Sequence, residues 1–114
     1  MNKYTAIGLL GAAAEGKRII VLSPHDQAAR DAVDEVRALV PDIEWRLTSG
    51  DQRVTLPAGG SIRFLSDNQH LRNRLRGTSA DIVLIEDERY VTNELINDLR
   101  AVTHTSPHGE IIRH

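Results

Sequence analysis

Apolar positions in this chain follow two rhythms. Ile19-Ile20-Val21-Leu22 and Ile82-Val83-Leu84-Ile85 are short, unbroken and rich in β-branched residues. That pattern predicts strands over 18–22 and 81–86, buried on both faces. Between them, Ala29, Ala32, Val33, Val36, Leu39 and Val40 recur at helical spacing. Ser23 suits the N-cap of that helix, Pro24 its first position and Asp26 the positive end of its dipole, and Pro41 ends it. Residues 4–14 are alanine-rich, with Gly16 where a terminating glycine belongs, and predict a further helix. Residues 43–47 alternate around Trp45 and predict a strand. The stretch RVTLPAGGSIRFLS, 53–66, sets two alternating runs around Pro57-Ala58-Gly59-Gly60, the pattern of a hairpin. Residues 67–75 read as a short helix. Residues 92–102 read as a helix with Leu95, Ile96 and Leu99 on one face, 106–109 as a turn and 110–113 as a last short strand.

Helices alternating with buried strands predict an α/β fold. It is a layered, mostly parallel sheet with an antiparallel hairpin and helices on both faces. The length of 114 residues fits a single domain, 1–114. Tyr4, Trp45, Phe64 and Tyr90 are the aromatic residues, so the core is aliphatic. A net charge of −2 supplies no global field toward nucleic acid or an anionic membrane. The chain has no cysteine, which excludes disulfides, thiolate metal sites and cysteine nucleophiles. No apolar run approaches the ~20 residues that span a bilayer. Residues 5–14 are apolar but run into Glu15-Gly16-Lys17-Arg18, so they read as a helix of the fold and not a signal segment. The expectation is a protein of the cytoplasm with no membrane partner.

Four patterns bear on chemistry. GAAAEGKR, Gly11 to Arg18, nearly matches the phosphate loop G-x-x-x-x-G-K-[ST], but Arg18 replaces the hydroxyl residue. It also follows a predicted helix and opens a strand, the reverse of the required context. It reads as a helix end with a glycine cap, and no nucleotide-binding residue is assigned. The strand at 82–85 runs into Glu86, Asp87 and Glu88, hard ligands of the kind that hold magnesium. Taken alone, this is also how a buried strand meets solvent. Arg72, Arg74 and Arg76 form a basic run and are the candidate nucleic-acid contacts. His104, His108 and His114 are close in sequence, but their spacing across a Ser-Pro turn matches no common site, and no metal site is expected.

EGKRIIVLSP (15–24), GGSIRFLS (59–66), LRGTSADIVLIED (75–87) and THTSPHGEII (103–112) occur in that order. Together they resemble the ATPase domain of phage terminase large subunits, the DNA-packaging motors, with a P-loop-NTPase-like fold. The resemblance implies that Glu86 stands where the family has its magnesium-binding aspartate, and Asp87 where it has the water-positioning glutamate. The acids are therefore exchanged in length, and displacements near ~1 Å at such a site cost about 100-fold in rate. Only Met1-Asn2-Lys3 precede the first helix, and the chain stops at His114. The expectation is a truncated domain without the phosphate loop and the nuclease domain, with Glu86 and Asp87 a degenerate acidic pair.

The function expected on that basis is non-catalytic. A phage protein on a degenerate ATPase scaffold would act in the host cytoplasm by binding a copy of itself or a host protein, with no cofactor. In the family's sheet the phosphate-loop strand lies beside the strand corresponding to 110–113, so Ile111 and Ile112 are the expected interface residues, together with the helix at 4–14. One alternative is an ATPase or packaging component completed by another chain, using magnesium and ATP. Another is a small DNA-binding accessory protein using Arg72, Arg74 and Arg76.

Overall fold

The structure is a computed structural model and describes residues 1–48 and 51–113. The chain runs α1 (Lys3–Ala14), β1 (Arg18–Ser23), α2 (Asp26–Leu39), β2 (Trp45–Thr48), β3 (Asp51–Thr55), β4 (Ser61–Ser66), α3 (Leu71–Leu75), β5 (Ile82–Ile85), a 3₁₀ turn (Glu88–Tyr90), α4 (Asn93–Thr103) and β6 (Glu110–Arg113). The strands form one sheet in the order β2-β3-β4-β1-β5-β6. The pairs β4–β1, β1–β5 and β5–β6 are parallel, and β2–β3 and β3–β4 are antiparallel. This is the mixed α/β architecture that the hydrophobic pattern predicts.

Strand register explains which helices go where. One row across the sheet reads Trp45, Val54, Ile62, Ile19, Ile82, Glu110. These side chains share a face, because directly paired residues point the same way. The row is apolar as far as Ile82, and α1 and α2 bury it in a core that includes Val33, Val36 and Phe64. Trp45 stacks on Phe64 there, with ring centroids 5.9 Å apart. The next row, on the opposite face, reads Arg46, Arg53, Arg63, Ile20, Val83, Ile111. Its apolar half lies in a second core with Leu71, Leu75 and α4 residues Leu95, Ile96 and Leu99. The sheet thus separates two cores. Each fully buried aliphatic side chain contributes roughly 1.5–3 kcal/mol.

Local chemistry sets the helix ends. Asn2 caps α1 through its side chain, which accepts from Thr5 N at 2.9 Å. Gly16, at φ 96°, closes the other end, where Gly16 N donates to Ala13 O and Lys17 N to Ala12 O. The outer face of α1 leaves Tyr4 and Ile7 exposed. The hairpin turn packs against this helix end so closely that a Cβ on Gly60 would lie 1.9 Å from Ala13 O.

Several boundaries differ from the expectation. The α2 N-cap is His25, whose Nδ1 accepts from Ala28 N at 3.1 Å. Ser23 remains in β1 because its register with Ser66 on β4 continues to the end of the strand. Leu39, expected on the buried stripe, is exposed at the last residue of α2. The helix expected over 67–75 is confined to Leu71–Leu75. The Asp67 amide instead donates to Ser23 O, and Asn68 Oδ1 accepts from His70 N at 2.8 Å, so residues 67–70 form a turn.

Candidate functional site

The carboxyl ends of β1, β4 and β5 lie side by side and bring Ser23, Ser66 and Glu86 to the same end of the sheet. Parallel α/β sheets bind ligands at this end of their strands. Both serines are buried. Ser23 Oγ donates to Glu86 Oε1 at 3.2 Å. Ser66 Oγ donates to Asp26 Oδ1, which also accepts from Asn68 Nδ2 at 3.0 Å. These donors hold the Asp26 carboxyl below its usual range, Ser66 contributing most. Tyr90 closes the region from the 3₁₀ turn, its hydroxyl donating to Leu22 O at 3.0 Å. Burial raises its pKa.

The two acids expected to matter have different surroundings. Glu86 is partly buried, and its Oε2 lies 2.6 Å from the Met1 amino group, which is also 3.5 Å from Glu35 on α2. Burial alone would lower the pKa of that amine, but the Glu86 hydrogen bond and the two negative charges outweigh it and raise the value. Met1, Asn2, Thr5, Leu84, Glu86 and Asp87 line a cleft of about 240 Å³. The Met1 ammonium thus lies directly against the Glu86 carboxylate. Asp87 has φ 58°, a left-handed conformation unusual for a residue with a Cβ. Its carboxylate accepts from Arg89 Nε at 2.7 Å and from an Arg89 terminal nitrogen at 2.6 Å. That clamp holds its pKa below the usual range.

The arginines of the basic run go separate ways. Arg72 pairs with Glu94 at 2.8 Å and Asp98 at 3.2 Å. Arg74 is half-buried, and its carbonyl accepts from Arg63. Arg76 is exposed beside a pocket of about 640 Å³ between α3 and α4, which Arg72 also lines. Ile111 and Ile112 are half-buried on β6, which among the described residues has a strand partner on one side only. His104 and His108 are exposed, and His114 lies outside the described residues. Among the described residues no three His, Cys, Asp or Glu side chains are grouped to hold a metal. The stretch Gly11–Arg18 lies on the end of α1, the cap and the start of β1, so its glycines close a helix.

The sequence reading missed the paired serines and the polar cluster of Asp26, Ser66 and Asn68. A signal was present: strands RIIVLS and RFLS both end in serine, and those serines align once the strands pair in parallel.

This geometry defines a P-loop-NTPase-like α/β fold. No protein-family model matches the sequence, and no curated protein matches it. Solved structures do. The large terminase of a thermophilic bacteriophage superposes with a TM-score of 0.68 at 8% identity, covering 95% of this chain and 29% of that one. The same terminase in complex with ADP gives 0.65 at 9% identity, with the same coverage. The large terminase ATPase domain of Thermus phage P74-26 gives 0.51 at 12% identity, covering 96% of this chain and 52% of that one. This chain therefore has the fold of phage large-terminase ATPase domains and spans about half or less of the chains it matches. Among the described residues no helix is long and apolar enough to cross a membrane.

Proposed function

We propose that the protein is a non-catalytic member of this fold that acts by binding another protein through the β6 edge. The observation that carries the reading is β6 itself: an outer strand of the described sheet with Ile111 and Ile112 half-buried at its centre. Unpaired strand edges are templates for a further strand. The exposed Tyr4 and Ile7 on α1 add apolar surface outside the core.

The acidic pair supports the non-catalytic half of the reading. A general base works best with a pKa near neutrality. Asp87 is shifted the other way by Arg89. Glu86 is engaged by Ser23 and the Met1 amine. A partner strand on β6 then supplies the function in place of hydrolysis, in the cytoplasm of a phage-infected host.

A second reading is an ATPase or packaging component completed by another chain, with magnesium and ATP as cofactors. The likeness to large terminases and the position of Glu86 at the end of β5 favour it. A DNA-binding accessory role draws less support, because Arg72 is neutralised by Glu94 and Asp98.

The experiment is partner binding by the wild type and by Ile111→Lys, measured by light scattering with a candidate host or phage protein added. Loss of the complex in the variant, with the fold intact by circular dichroism, supports the reading. An unchanged complex removes the β6 edge as the surface.

A further inference from the structure

The opposite edge of the sheet carries a different kind of surface. β2 has β3 on one side and, among the described residues, no strand on the other. The stretch across it, Ile43-Glu44-Trp45-Arg46-Leu47, alternates strictly. Trp45 and Leu47 share one face of β2 and Arg46 lies on the other; Ile43 and Glu44 precede the strand and continue the same alternation in sequence.

Each face is incomplete. Leu47 is 44% exposed, and Trp45 and Ile43 are only partly buried where they flank the α1/α2 core. Arg46 and Glu44 are exposed. Arg46 heads the row in which Arg53 and Arg63 follow on adjacent strands. Like charges directly opposite one another destabilise a sheet. Asp51 is the acid among them: it binds Arg63 at 2.7 Å and reaches Arg53 at 3.8 Å. The Arg53 Nε is buried without a hydrogen-bond partner. The row therefore carries excess positive charge up to the edge.

Antiparallel pairing of the 43–47 stretch with itself, which lengthens β2 by two residues at its start, completes both faces. A two-fold axis through the Trp45 pair sets Glu44 of each copy opposite Arg46 of the other. It also sets Ile43 of each copy opposite Leu47 of the other. We propose that the β2 edge is a self-recognition surface and that its occupant is the β2 edge of a second copy of this chain. The charge pattern selects this occupant, because a segment able to pair with it must carry an acid opposite Arg46 and an arginine opposite Glu44. Residues 43–47 are such a segment, and the apolar positions match at the same time. Closed two-fold pairs are the commonest form of soluble homo-oligomer. The surface is separate from β6, which stays available for another protein.

Charge reversal tests the pairing. Arg46→Glu places acids at both polar positions of the edge, and Glu44→Arg places arginines at both. Sedimentation equilibrium of the wild type is expected to show a dimer. Each single variant should dimerise at least about tenfold more weakly, dissociating at correspondingly higher concentration, since two cross-strand attractions become repulsions. An equimolar mixture of the two single variants should form a heterodimer near wild-type affinity, and Ile111→Lys should leave the wild-type dimer intact. The mixture keeps the test independent of any loss of stability, because recovery requires both chains folded. A wild type that stays monomeric at high micromolar concentration overturns the proposal. So do single variants that dimerise as well as wild type, a mixture that does not recover, or a dimer abolished by Ile111→Lys.

Discussion

Gly60 sits where the hairpin turn meets the end of α1, and replacing it with alanine is a direct test of that junction. The new Cβ would lie 1.9 Å from Ala13 O, 2.8 Å from Ala13 C and 2.9 Å from Lys17 O. All three are backbone atoms, so no side-chain rotation relieves the clash. The turn must move away by roughly 1.5 Å to restore ordinary contact distances. That motion strains the bond from Ser61 N to Lys17 O, now 3.1 Å. Overpacking of this kind costs about 1–3 kcal/mol, and the weakened hydrogen bond about 1 kcal/mol. The smaller unfolded-state entropy of alanine returns about 0.4–1 kcal/mol. The net expectation is a loss of about 2–3 kcal/mol. A chain of this length unfolds with an entropy near 0.24 kcal/mol/K, so the melting temperature should fall by about 8–12 °C. Gly8 is the control: it is exposed on α1 and a Cβ there meets nothing within 4 Å. Gly8→Ala should gain about 0.5–1 kcal/mol of helix propensity and melt about 2–4 °C higher. Differential scanning calorimetry of both variants decides the matter. A Gly60→Ala melt within about 2 °C of wild type would refute the close approach of hairpin and helix.

Val83 is fully buried in the middle of the sheet, so Val83→Asp should abolish cooperative unfolding, since an unpaired buried charge costs several kcal/mol. Glu88 is exposed beyond the strand, and Glu88→Ala should change stability by less than about 0.5 kcal/mol in the same thermal melts. Burial pushes the Asp51 carboxyl up, but the Arg63 hydrogen bonds and the Arg53 and Arg74 charges hold it below its ordinary value of 3.8. Its contribution to stability is present above that ordinary value and disappears as pH falls through the lower folded value. The melting temperature of Asp51→Asn should therefore fall less steeply than wild type below about pH 4, and parallel acid limbs would count against the ion pair. Mg-ATP titrated calorimetrically should give no tight binding, and a dissociation constant in the low micromolar range would overturn the non-catalytic reading.

The strand framework was legible because two unbroken β-branched runs can be buried only on both faces, and β1 and β5 take those positions beside each other. The hairpin was legible from its turn. What failed lay at element ends, where tertiary partners decide. Ser23 has the chemistry of an N-cap, yet Glu86, 63 residues away, takes its hydroxyl and His25 caps the helix. Asp67 begins what looks like a helix, but its amide bonds Ser23 O at the end of the neighbouring strand. The arginine row was invisible in one dimension. Arg46, Arg53 and Arg63 are far apart in sequence and become neighbours only once strand register is fixed. The acids of the site were found because they end a strand. Their partners Met1, Ser23 and Arg89 were not, since nothing in local spacing points to them.

The unlike chemistry of the two outer strands bears on how far such a molecule can grow. A sheet with two free sides can, in principle, add copies head to tail into an endless ribbon. Here the side chains discourage it. On the face that presents Arg46, β6 presents Ile111 and Arg113, while Glu110 belongs to the other face with Ile112. A copy laid with its faces aligned, β6 against β2, would set Arg46 beside an isoleucine or another arginine. No register along the strand brings Glu110 to it, because sliding by two residues never changes the face. The polymer that open sides invite is thus disfavoured by parity, which leaves the closed pair proposed for the β2 edge as the association the side chains permit.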